Sequence, residues 1–97
     1  MLTVPTLEWR PQSRADLMSI VAYIAEDNPD AAQALKDEIE TKASALLKRP
    51  KLYKPGRMKG TWEMVVRPNY VVVYRENIKA VTILRVLHAA QKWPLAK

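Results

Sequence analysis

The hydrophobic period of this chain changes once, near residue 60, and that change limits the folds open to it. Before it, Leu17, Ile20, Val21 and Ile24 recur at helical spacing. So do Ala32, Leu35, Ile39, Ala43 and Leu46, with Leu47 at the margin. Each set makes one apolar stripe of an amphipathic helix. After it, residues 61–67 alternate, with Trp62, Met64 and Val66 on one side and Glu63, Val65 and Arg67 on the other. Residues 70–75 and 80–88 are apolar almost throughout, as buried strands are. Two helices followed by three strands is therefore the basic order.

Punctuation residues sharpen the limits. Pro11 suits a first helical turn, and Ser13 with Asp16 has the spacing of a capping box. The first helix should end near Asp27. Asn28-Pro29 then reads as an N-cap followed by a proline at the first position of a second helix, which runs to about Leu47 before Pro50. So short a link makes an antiparallel helical hairpin. Residues 50–60, with Pro50, Pro55, Gly56 and Gly60, form a loop. Pro68-Asn69 and Glu76-Asn77 mark turns between strands. Upstream, residues 2–9 look like a further strand, and Pro5 assigns it to an edge or a bulge. The expected fold is α+β: one domain over residues 1–97, with a helical hairpin packed on a twisted antiparallel sheet in β-αα-βββ order.

Charge is unevenly placed. Residues 48–59 hold Lys48, Arg49, Lys51, Lys54, Arg57 and Lys59 and no acid, which equals the net charge of +6 for the whole chain. Residues 11–47 carry seven acids against three bases, and residues 60–97 carry six bases against two acids. Such a dipolar molecule should present its second half to a polyanion or an acidic partner. Isolated loop lysines would serve solubility alone.

The inventory excludes much chemistry. The chain has no cysteine, so a disulfide framework, a thiolate nucleophile and a cysteine-held metal are excluded. A single histidine makes a metal site, and any cofactor, unexpected. The 97 residues contain no window that could span a membrane and no signal-like start, so a cytoplasmic protein is expected. A glycine-rich phosphate loop and a serine–histidine–acid set are both missing. What remains is cationic and aromatic. RNA cleavage by its own 2′-hydroxyl needs a proton donor or acceptor and cations for the developing charge. His88 could supply the first, and Arg57, Arg67 or Arg75 the second. The alternative for His88 is a hydrogen-bonded histidine at a strand end, and for the arginines a solvated or salt-bridged face. Alternation puts Arg85 with Val81, Ile83 and Leu87, and His88 with Leu84 and Val86, hence on opposite faces unless a bulge intervenes.

The motifs Ala15-Asp16-Leu17, Tyr23-Ile24-Ala25, Asn28-Pro29, Pro55-Gly56-Arg57, Gly60-Thr61, Glu63 to Val66, Asn69 to Arg75, Ile83 to Gln91 and Trp93-Pro94 come in one order. In that order the chain resembles RelE/ParE-family toxins of type II toxin–antitoxin modules over about residues 7–94. The resemblance implies the same β-αα-βββ fold and a growth-inhibiting toxin, of a kind linked to plasmid stabilisation. It also implies a cognate antitoxin bound to the toxin as a hetero-oligomer. Its target would be DNA gyrase in ParE-like members, or mRNA on the ribosome in RelE-like endoribonucleases. The helical motifs lie nearer the ParE branch. Val71 and Ala89-Ala90 stand where RelE-type nucleases tend to be basic, and Trp62 stands where the family often has arginine. Candidate target-binding residues are Lys51, Lys54, Arg57, Lys59, Arg85, Gln91 and Trp93. A gyrase inhibitor, an mRNA endoribonuclease and a small basic nucleic-acid-binding module are the three readings that the sequence permits.

Overall fold

A computed structural model of the chain describes residues 5–88. The elements run β1 (Thr6–Trp9), α1 (Pro11–Ala25), α2 (Pro29–Ala45), β2 (Lys54–Pro55), β3 (Trp62–Arg67), β4 (Tyr70–Glu76) and β5 (Ala80–His88). One five-stranded sheet has the order β1-β5-β4-β3-β2. The two-residue β2 lies inside the segment expected to be all loop. Gln91 and Trp93, both sequence candidates, and the first residues of the expected 2–9 strand lie outside the described residues.

The helical hairpin forms as its punctuation requires. The Asn28 carboxamide oxygen accepts from the Ala31 backbone N–H at 3.0 Å, with Pro29 at the first position of α2. The whole expected stripe of α2, from Ala32 to Leu46, is buried. Leu35, Ile39, Ala43 and Leu46 of that stripe meet Met64, Val66, Val72, Tyr74, Val81, Ile83 and Val86 on the sheet to form the core. On α1, Leu17 is buried, while Ile20, Val21 and Ile24 pack at the rim. The start of α1 differs from expectation. Arg10 occupies the N-cap position without a side-chain cap. Ser13 instead donates its hydroxyl to the Arg10 carbonyl at 2.6 Å, and Asp16 is engaged elsewhere, so no capping box forms.

β4 is the central strand, with Val71, Val72, Val73 and Tyr74 all buried. It pairs antiparallel with β3 and β5. β1 takes the sheet edge, as Pro5 suggested, but pairs parallel to β5, so the sheet is mixed rather than antiparallel. The path of α1 gives the reason. The four residues of β1 cover only Ala80–Ile83. With β1 parallel, α1 then continues in the same direction along the remaining half of β5. There the Asp16 carboxylate accepts from the Val86 N–H at 3.0 Å, satisfying a strand edge that no neighbouring strand covers.

A register shift falls in the β4–β5 ladder: Ile83 pairs with Tyr74 and Arg85 with Val73, leaving Leu84 as an extra residue. This bulge overturns part of the expected sharing of sides, while Arg85 with Leu87 and His88 with Val86 still alternate to opposite faces as expected. Val86, rather than Arg85, rejoins Val81 and Ile83 in the core.

Candidate functional site

The register places one row of residues across the sheet. Trp9 pairs with Ile83, Ile83 with Tyr74, and Tyr74 with Trp62. Arg10 and Leu84 follow that row on one side, and Arg75 and Thr61 flank it on the other, where Arg75 pairs with Thr82. Arg10, Leu84, Arg75 and Thr61, with Met58, Lys59 and Arg85, line an open cavity of about 610 Å³.

The basic loop forms one wall, and its glycines explain its shape. The Gly56 N–H donates to the Thr61 carbonyl at 2.7 Å, and a Cβ at Gly56 would collide with the Thr61 hydroxyl. That hydroxyl donates to the Met58 carbonyl at 2.6 Å. Gly60 has φ +83°, a left-handed conformation that favours glycine. Beneath the loop sits Glu63, only 2% exposed. It accepts from the Arg57 backbone N–H at 2.9 Å, and its carboxylate lies 3.4 Å from the Arg57 guanidinium. Alternation put Glu63 on the side opposite Trp62, Met64 and Val66, and the loop turns back to cover it there. Arg57 is thus committed to a buried carboxylate rather than projecting from a loop tip.

Arg85 is likewise engaged. Its guanidinium donates twice to Asp16, at 2.7 and 3.1 Å. Burial alone would raise the Asp16 pKa. The bonds from Arg85, Val86 and Gln12 outweigh it and hold the carboxyl below its usual value. The Asp16 bond in turn raises the Arg85 pKa against the opposing effect of burial.

His88 lies at the other end of the sheet. It pairs with Tyr70, and the two rings meet edge-on with centroids 5.5 Å apart. Together with Ser19, Ile20 and the exposed Tyr23 of α1 they line a smaller cavity of about 290 Å³. Arg67 pairs with Tyr70 in the same row, but its side chain donates to Glu38 of α2 at 2.7 Å, so it ties β3 to the hairpin. That bond, more than the opposing desolvation, lowers the Glu38 pKa.

The proposed acid–base and charge-stabilising residues are therefore not gathered into one site. From Tyr70, opposite His88, to Arg75 is five residues along β4, about 17 Å at about 3.3 Å per residue. Arg85 and His88 pair with Val73 and Tyr70 and so belong to different rows, with Arg85 on the larger cavity and His88 on the smaller. Lys51 is exposed, its amine 4.0 Å from Glu76. Lys54 is exposed on β2 and pairs in register with Glu63. Lys59 is exposed on the larger cavity. Sequence reasoning missed three residues: Arg10 on the cavity wall, Asp16 as the partner of Arg85, and Glu63 as the anchor of the loop. A single acid following a run of six cations was the available signal for Glu63. Among the described residues no group of histidine and carboxylates is placed to hold a metal ion, and no helix is long and apolar enough to cross a membrane.

Comparison with known proteins agrees with this architecture. A family model described as the ParE toxin of the type II toxin–antitoxin system parDE matches residues 7–93. Y4kP of Sinorhizobium fredii, named as a toxin, is 39% identical over 89 residues, covering 91% of this chain and 92% of its own. The toxin RelE2 of Caulobacter vibrioides is 35% identical over 85 residues, covering 86% and 93%. Among solved structures, a chain of the chromosomal ParDE system of P. aeruginosa superposes with a TM-score of 0.80 at 20% identity, covering 88% of this chain and 96% of that one. A chain of the RelBE2 toxin–antitoxin complex of Mycobacterium tuberculosis gives a TM-score of 0.57 at 26% identity, covering 94% and 97%.

Proposed function

Because the chain belongs to the ParE toxin family of type II toxin–antitoxin systems, we propose that it arrests growth by binding DNA gyrase, and that a cognate antitoxin holds it inactive in a hetero-oligomer. The solved relatives belong to a ParDE system and to a RelBE2 toxin–antitoxin complex, which supports the antitoxin partner.

One observation carries the choice of target. Proton transfer and charge stabilisation in RNA cleavage act through hydrogen bonds of about 3 Å to one phosphodiester. Here His88 and Arg75 stand about five strand positions apart, Arg67 is held by Glu38, and Arg57 is held by Glu63. A protein–protein inhibitor needs no such convergence. The second reading, ribosome-dependent mRNA cleavage, draws support from the likeness to RelE2 and from the exposed His88 beside an open cavity.

Mapping of mRNA 5′ ends after induced expression tests the choice. Growth should stop without codon-phased ends, and His88→Gln should stop it equally. Phased ends that vanish in His88→Gln would overturn the reading and make His88 the proton-transfer residue, a role worth about 10²–10⁴-fold.

A further inference from the structure

The larger cavity contains uncompensated charge. Arg10, Lys59 and Arg75 line it, all three exposed, and none has an ion-pair partner among the described residues. Asp16 is committed to Arg85 and Glu63 to Arg57, and Glu8, which pairs with Thr82 beside Arg75, does not line the cavity. Three like charges are thus held around one concavity, Arg10 just past β1, Arg75 on β4 and Lys59 on the closed Gly56–Thr61 loop. Such an arrangement raises the local concentration of anions. Between the cations the lining combines the apolar Met58, Leu84 and Pro11 with the polar Gln12 and Thr61, and holds no aromatic ring.

We propose that this cavity binds a short acidic, aliphatic peptide segment of a protein partner, its carboxylates on Arg10, Lys59 and Arg75 and an aliphatic side chain on Met58 and Leu84. Arginine forks match carboxylates in two-point geometry, and a methionine surface adapts to varied aliphatic shapes. A single-stranded nucleic acid would satisfy the cations equally, but its bases bind chiefly by stacking on aromatic rings. Trp62 and Tyr74 of the adjoining row are turned away into the helix-facing side of the sheet. The lining therefore favours peptide over nucleic acid. This inference does not depend on which target the toxin has.

The test uses the full chain with ¹⁵N label. The probes are the capped peptide Asp-Leu-Glu-Leu-Asp, its neutral counterpart Asn-Leu-Gln-Leu-Asn, and a single-stranded oligouridylate of equal charge. The acidic peptide should shift the Arg10 and Arg75 side-chain N–H signals and the Gly60 amide saturably, and the neutral peptide should bind about 10-fold more weakly. Combined Arg10→Gln, Lys59→Gln and Arg75→Gln should reduce acidic-peptide affinity by about 10-fold, as three exposed ion pairs together would, with thermal stability retained. Lys48→Gln with Lys79→Gln, at cations that do not line the cavity, should leave affinity unchanged. Equal binding of both peptides, shifts confined to other surfaces, or equal losses in the triple and control variants would each overturn the proposal. Tighter binding of the oligouridylate would assign the cavity to nucleic acid instead.

Discussion

Replacing Asp16 with alanine should destabilise the fold more than any other exchange of a single charged residue on α1. The side chain connects three parts of the molecule: α1, the Arg85 guanidinium and the otherwise uncovered Val86 N–H. Its loss removes two charge-assisted bonds from Arg85, one backbone cap and the bond from Gln12. Deleting one partner of a fully buried pair costs about 3–5 kcal/mol, and of an exposed pair at most about 1 kcal/mol. The Arg85 and Asp16 side chains retain 17% and 11% exposure, which puts this pair between those limits. The expected loss is therefore about 2–3 kcal/mol. Unfolding entropy near 2.1 cal/mol/K per residue gives about 0.2 kcal/mol/K for a chain this size, so Tm should fall by about 10–15 °C. Asp16→Asn keeps an acceptor for Val86 and loses only the charge, so it should fall about half as far. The pH dependence gives a second readout. Because the Asp16 pKa is lowered in the fold, its contribution is complete above the ordinary aspartate value of about 3.9 and is lost as pH falls through the lower folded value. The gap between wild type and Asp16→Asn, measured by calorimetry or denaturant titration, should shrink below about pH 4. A Tm for Asp16→Ala within about 2 °C of wild type, or a gap constant from about pH 6 to pH 2, would refute the reasoning.

The other charged anchors give further expectations. Arg57→Gln should lower Tm by several degrees because it strips a cation from the buried Glu63, and adding Glu63→Gln should recover most of the loss in a double-mutant cycle. Lys51→Gln, Lys54→Gln and Lys59→Gln together should change stability by under about 0.5 kcal/mol, since all three side chains are exposed. Toxicity of that triple variant should drop if the loop contacts an acidic or polyanionic target, which a growth assay reads directly. Burial, then the negative fields of Tyr53 and Glu76, push the Tyr74 phenol up to about 12. Ultraviolet titration should show one late tyrosine, and the stability tied to it should be intact below about pH 10 and lost as pH rises towards 12. Tyr74→Phe, which removes the bond to the Pro50 carbonyl, should remove the late step and cost about 1–2 kcal/mol.

The helical hairpin was legible because local signals and burial agree: α2 buries its whole apolar stripe beneath an Asn28-Pro29 cap. The central position of β4 could be read from apolar residues on both of its sides. Strand direction was not legible, because alternation records which side a residue faces and not which way its strand runs, so the parallel β1 was missed. The same limit hid the Leu84 bulge, which changes the parity of β5 without changing its composition. The burial of Glu63 was not legible because it comes from the loop folded over it, a non-local effect. The candidate site was readable as a set of residue types and not as an arrangement. Lys59, Arg75 and Arg85 share a cavity, whereas His88 and Arg67 lie at the far end of the sheet.

The proposed action of the toxin is contact with gyrase and not cleavage of RNA. The most direct measurement adds the purified chain to gyrase with relaxed plasmid and, in parallel, to ribosomes programmed with a defined mRNA. Inhibited supercoiling with intact mRNA, unchanged in His88→Gln, is the expected result. Codon-phased mRNA cuts with supercoiling unaffected, and lost in His88→Gln, would contradict it.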